Sequence, residues 1–132
     1  MVTGLYAGIL GIIYLGLSFM VVRKRLKHRI GVGDNNNHEI LRAVRIHANF
    51  AEYVPLALIM MMIIEINNVN PFDVSPLFLH MFGVVLVLAR LAHAYGLSQS
   101  AGTSPGRFMG TILTFLTLLG LSILLITQYV TT

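Results

Sequence analysis

Cysteine is absent from the 132 residues. A disulfide frame, a thiolate metal site and a protein thiol nucleophile are excluded with it. Any thiol chemistry would need a thiol carried in by a ligand. Charge is nearly as scarce, at 11% of residues, against about 25% in soluble domains. Acidic residues are the rarer kind, five against nine lysines and arginines. With 56% hydrophobic residues and a mean hydropathy of +0.80, the chain reads as an integral membrane protein.

Other absences narrow the chemistry. The histidines are His28, His38, His47, His80 and His93, and no two stand three or four apart on one helix. A helix-borne metal pair is therefore missing, and no metal is expected. No Ser/His/Asp arrangement, P-loop or G-x-G-x-x-G can be assembled, so covalent catalysis by a protein nucleophile has little support. There is no internal repeat and no low-complexity tract. The net charge of +4 and the pI near 9.9 do not point to nucleic acid. Arg23, Lys24, Arg25, Lys27 and Arg29 crowd one segment beside an apolar run. That is the pattern of a cytoplasmic anchor next to anionic membrane lipid.

What the chain does have is four long apolar runs. They predict one all-α domain over residues 1–132, an up-and-down, left-handed four-helix membrane bundle with spans at about 2–25, 39–66, 76–97 and 105–129. The first run is followed, not preceded, by its cations, so it reads as a retained span rather than a signal peptide. GVGDNNN is a cluster of turn formers, and NNVNPFDVSP a short turn with one anion and no cation. Ser104-Pro105 has the form of an N-cap followed by a first-position proline. Gly4, Gly8 and Gly11 could permit close helix contact. Cations gather in the first and third loops, which predicts cytoplasmic placement of both, with the termini outside.

The second run carries the anomaly. LRAVRIHANFAEYVP, residues 41–55, puts polar groups on a membrane helix. At about 100° per residue, Arg45, Asn49 and Glu52 fall near 0°, 40° and −20°, with Arg42 near 60°. Each charge in a span costs about 2.5–3.5 kcal/mol on insertion scales, so a shared charged face suggests function. Arg45 and Glu52 are separated by about 10.5 Å along the axis, so Arg90 on the third helix is the expected partner of Glu52. Arg42, Arg45, Arg90 and Arg107 then face one membrane carboxylate. Arginines in such excess imply an anionic ligand. Arg107 sits at a helix N-terminus, where the dipole disfavours a cation and favours a bound anion. His93 stands one turn beyond Arg90; His47 points away from the polar face.

The motif R-x-x-x-N-x-x-E-Y-x-P within RIHANFAEYVP, together with ARLAHAYG on the third helix, resembles the MAPEG family, the membrane-associated proteins in eicosanoid and glutathione metabolism. The resemblance covers nearly the whole chain and is nearest to the bacterial branch, which implies a bacterial inner membrane. It implies a homotrimer binding glutathione in a cleft between protomers that opens to the cytoplasm. It implies a glutathione transferase or peroxidase acting on lipophilic electrophiles. Arg45, Asn49, Glu52 and Tyr53 match the family's glutathione-binding positions, and Arg90 and His93 the third-helix positions. Arg107 matches the arginine that stabilises the thiolate. Arg23 or Arg25 is implied as a further contact to the tripeptide.

One position departs from the pattern. Family enzymes often carry a tyrosine seven residues after the third-helix arginine, and here that residue is Leu97. Tyr95 stands about 140° round from Arg90. Either the helix ends early and Tyr95 swings in, or the contact is missing.

The charges agree with glutathione, which has two carboxylates, one ammonium and a thiol. Arginines suit the carboxylates and thiolate, and Glu52 the ammonium. Neighbouring cations favour ionisation of a thiol whose ordinary pKa is about 8.5. The alternative reading is a non-enzymatic binding or scaffold protein whose polar cluster holds an anionic lipid or another small anion.

Overall fold

The computed structural model describes residues 1–67, 73–100 and 102–131. Residues 68–72 of the NNVNPFDVSP turn, and Ala101 of the third loop, lie outside the described residues. Four helices make up the fold: α1 (Val2–His28), α2 (His38–Ile66), α3 (Pro76–Gln99) and α4 (Pro105–Thr131). Each is long and apolar enough to cross a membrane. The described residues contain no strand. Sequence neighbours pair most extensively, α1 on α2 and α3 on α4, with α2 also meeting α3 and α4.

Local chemistry sets the helix ends. α1 stops where Arg29 turns left-handed at φ 55°. The Arg29 amide donates to the Leu26 carbonyl at 3.3 Å and the Ile30 amide to the Arg25 carbonyl at 3.1 Å. This double bond pattern closes a helix end with its last carbonyls satisfied. The Arg25 guanidinium then donates to the carbonyls of Gly31 and Gly33 at 3.1 and 3.0 Å, folding the loop back on itself.

Asn37 caps α2, its side-chain oxygen accepting from the amides of Glu39 at 2.9 Å and Ile40 at 3.2 Å. Glu39, in the first turn of α2, accepts from Lys24 at 2.8 Å and Lys27 at 3.2 Å, and lies 3.2 Å from His28. At the other end of α2, Glu65 accepts from the backbone amides of Val2 and Thr3. Pro76 and Pro105 occupy first helical positions, behind Ser75 and Ser104. Replacing Asn37 with alanine leaves two amides without their acceptor and should lower stability by about 1 kcal/mol. Amide exchange confined to the first turn of α2 would show whether the loss is local.

The core follows the 3–4 spacing of α2. Phe50, Val54, Ala57, Met61 and Ile64 are buried against Tyr6 and Leu10 of α1, Leu79 and Leu86 of α3, and Leu121 of α4. Lipid tails are as apolar as these side chains, so close packing rather than escape from water holds the helices together. The glycines that allow close approach are not Gly4, Gly8 and Gly11, which have open space where a Cβ would stand. They are Gly83, against the Tyr6 ring, and Gly96, Gly106 and Gly110 at the α3–α4 crossing. A Cβ on Gly110 would lie 2.5 Å from the Ala89 carbonyl oxygen and 2.7 Å from the His93 amide nitrogen. The backbones there touch.

His47 packs α1 onto α2, with its Nε2 3.0 Å from Ser18 Oγ and its ring centroid 4.7 Å from that of Tyr14. Met61 is buried and Met62 exposed, as filler between core and lipid.

Candidate functional site

Near the first turns of α2, the helices α2, α3 and α4 leave a cleft of about 200 Å³. From α2 it is lined by His38, Leu41, Arg42, Arg45 and Asn49, from α3 by His93 and Leu97, and from α4 by Arg107. The polar stripe of α2 forms one wall because it flanks the buried stripe of Ala43, Ile46 and Phe50. The opposite wall is set by the α3–α4 crossing. Gly96 lies so close to the Arg107 backbone that a Cβ there would collide with its amide nitrogen. Ser104 Oγ accepts from that amide at 3.3 Å, fixing Arg107 in the first turn of α4.

The cleft is strongly basic. Among the described residues, three guanidiniums and two imidazoles line it, and no carboxylate does. Arg42 Nη1 donates to the Ser98 carbonyl at 3.2 Å, and Arg107 Nη1 to the Gly102 carbonyl at 3.4 Å. These bonds orient the two side chains. Asn49 Oδ1 is buried and accepts no hydrogen bond among the described residues. A buried acceptor left in that state costs about 1–3 kcal/mol, and a ligand N–H would relieve it.

Glu52 pairs with Arg45, Oε1 to Nη1 at 3.7 Å, and both side chains are about half exposed. The sequence had favoured Arg90 as the partner. Two long side chains on one face span the gap that the backbone spacing made look too wide. Arg90 instead lies inside the bundle, 2% exposed. Its Cζ stands 5.7 Å from the centre of the Tyr53 ring, a cation–π contact. Its Nε and Nη1 find no hydrogen-bond partner among the described residues.

The remaining candidates fall elsewhere. α3 continues to Gln99, so the helix does not end early: Tyr95 is 68% exposed and Leu97 lines the cleft. Arg25 is engaged with its own loop, and Arg23 lies along a groove on α1 with Met20, Lys24, Leu26 and Lys27. Neither lines the cleft of its own chain. His38 and Arg42 do line it, though only Arg42 carried a signal in the sequence, its place on the α2 stripe.

The sequence profile of the MAPEG family matches residues 3–127. The chain belongs to the MAPEG family. It is also similar to the inner membrane protein YecN of Escherichia coli strain K12, with 38% identity over 96 residues, covering 73% of this chain and 70% of YecN. YecN of E. coli O6:H1 strain CFT073 gives the same identity and coverage. No solved structure matches. The matched span of the family includes every helix-borne residue of the cleft, from His38 to Arg107.

Proposed function

We propose that this MAPEG protein is a glutathione-dependent enzyme of the bacterial inner membrane. It conjugates glutathione to lipophilic electrophiles or uses it to reduce lipophilic peroxides. The observation that carries the reading is the composition of the cleft: Arg42, Arg45 and Arg107 together, with no carboxylate among the lining residues and a buried unpartnered acceptor on Asn49. Glutathione fits that set. Its carboxylates suit guanidiniums, its amide N–H groups suit Asn49 Oδ1, and its ammonium suits Glu52 at the rim. Arg107 is assigned to the thiolate, whose formation a neighbouring cation favours. Tyr53 and Arg90 back the α2 wall. The lipophilic partner approaches from the bilayer side of the helices.

One chain's cleft of about 200 Å³ is smaller than the roughly 300–1,000 Å³ of ordinary ligand sites. Arg45 of its lining is half-exposed, as is its partner Glu52. Both features suit a homotrimer in which a neighbouring protomer completes the cleft. In that arrangement Arg23 or Arg25 can serve the site of the next subunit. The cations of the first loop, with Arg107 in the first turn of α4, suit a cleft that opens toward the cytoplasm.

Thermal unfolding in detergent tests the proposal. Glutathione at about 100 times its dissociation constant should stabilise the wild type by about 2.7 kcal/mol, and the gain should vanish in Arg107→Ala. No stabilisation of the wild type at millimolar glutathione would overturn the reading. One observation favours a second reading, a binding protein for an anionic lipid headgroup: Leu97 stands in the cleft where family enzymes often have tyrosine. Native mass spectrometry separates the two, because retained phospholipid that glutathione cannot displace supports the second.

A further inference from the structure

We propose that His93 is the proton acceptor that converts glutathione to its thiolate in this cleft. The inference rests on the glutathione reading above and adds the base that the reading lacks. Arg107 can hold a thiolate, but a guanidinium cannot take the thiol's proton. The proton must pass to a group within the cleft or to bulk water.

The lining residues narrow the choice. Guanidiniums are always charged and carry no acceptor, leucines carry none, and the Asn49 amide is not a base at neutral pH. Among the described residues, no carboxylate, tyrosine, lysine or cysteine lines the cavity. Two imidazoles remain, His38 and His93. His38 is exposed, at the first residue of α2, on the solvent side of the cleft. His93 is 4% exposed and sits on the α3 wall that faces Arg107 across the helix crossing. No hydrogen bond from its ring to a described residue is found, and the residue lines the cavity.

The backbone holds His93 in register with Arg107. Gly110 lies one turn beyond Arg107 on α4, and its missing Cβ leaves room for the His93 amide and Cβ. Gly96, one turn beyond His93 on α3, meets the Arg107 backbone in the same way. These two reciprocal contacts bring the wall that carries the imidazole against the wall that carries the guanidinium. His93 and Arg107 line the same cavity, the placement that a general base for a sulfur seated on Arg107 would need.

The step balances without another reagent. The S–H bond breaks and its electron pair stays on sulfur. The proton bonds to a ring nitrogen of His93, giving thiolate and imidazolium. When the thiolate's pair forms the sulfur–carbon bond, the displaced group leaves with its own pair. The imidazolium then releases its proton to that group or to water. Arg42 and Arg45 of α2 and Arg107 of α4 share the cavity with the ring, with His38 at its mouth and Arg90 one turn back on α3. These cations oppose an imidazolium, so the proton stays on His93 only while the thiolate beside it balances the charge. Glu52 is not among the residues that line the cavity, and α1 contributes none of them.

Proton-linked calorimetry decides the matter, run beside thiolate absorbance on the detergent-solubilised protein, with S-methylglutathione as the blank. The wild type should form thiolate on binding glutathione while releasing no proton to buffer, because His93 retains it. His93→Gln should still bind glutathione, but its thiolate signal at neutral pH should drop about tenfold, one pKa unit on the bound thiol. One proton released to buffer per thiolate formed in the wild type would overturn the proposal, and that result needs no variant to fold. A full thiolate signal in His93→Gln would overturn it equally. Failure of glutathione to bind the wild type would instead sink the glutathione reading, and this inference with it.

Discussion

Replacing Gly110 with alanine should cost about 3 kcal/mol, the upper end for overpacking a tight contact. The cost should be high because the added Cβ meets backbone, the Ala89 carbonyl oxygen and the His93 amide nitrogen, which cannot swing aside. α4 must move off α3 to make room. Arg107 rides on the first turn of α4 and His93 on the facing wall, so the two sides of the cleft separate together. Glutathione should then give no thermal stabilisation even where the variant still folds. Phe108→Ala is the control. Phe108 is 59% exposed, lies two residues from Gly110 and points outward, so its loss should change stability by under about 0.5 kcal/mol. A Gly110→Ala protein with unchanged melting and unchanged glutathione response would mean that the α3–α4 contact does not set the cleft.

Arg90→Met should have the opposite sign. Arg90 is 2% exposed, and its Nε and Nη1 have no hydrogen-bond partner among the described residues. The Tyr53 face at 5.7 Å recovers only part of what desolvating a guanidinium costs. Methionine fills much of the same space with a flexible apolar chain. Exchanging uncompensated buried charge for such a residue should raise the stability of the ligand-free protein by about 1–4 kcal/mol. The glutathione response should weaken in the same variant. Higher stability with lost response is the mark of a residue kept for function at a cost to the fold. A fall in ligand-free stability would show that Arg90 holds the bundle together.

Much of this was readable from the chain. The spans were set by apolar length, and the start of α4 by the Ser104-Pro105 pair; the same signal at Ser75-Pro76, read only as part of a turn, marks the start of α3. The wall of Arg42, Arg45 and Asn49 followed from helical periodicity, which one chain of residues fully encodes. What lies between helices was harder to read. The partner of Glu52 depended on how far two flexible side chains reach, which spacing along the axis does not fix. The close-contact glycines were placed on α1, while the structure places them at Gly96, Gly106 and Gly110. The G-x-x-x-G spacing of Gly106 and Gly110, opposite Ala89, Ala92 and Gly96, was the available signal. It was hidden because no pairing of α3 with α4 had been assumed. The choice between Tyr95 and Leu97 turned on where α3 stops. A helix that continues to Gln99 keeps the 100° step and leaves Leu97 in the cleft.

α1 is bound to its neighbour in an unusual way. Most of its surface is exposed, and among its residues only Thr3, Tyr6 and Leu10 are buried. A helix so thinly interlocked could ratchet along α2. Two glutamates of α2 prevent this, one at each end: Glu39 gathers Lys24, Lys27 and His28, and Glu65 holds the first amides of α1. A slide of one turn, about 5.4 Å, would break both attachments in the same motion. The register of α1 is thus pinned at its two water-facing ends. The long stretch between them is free to exchange side chains without losing its place, so it can be adapted to whatever lipid or neighbouring subunit lies against it.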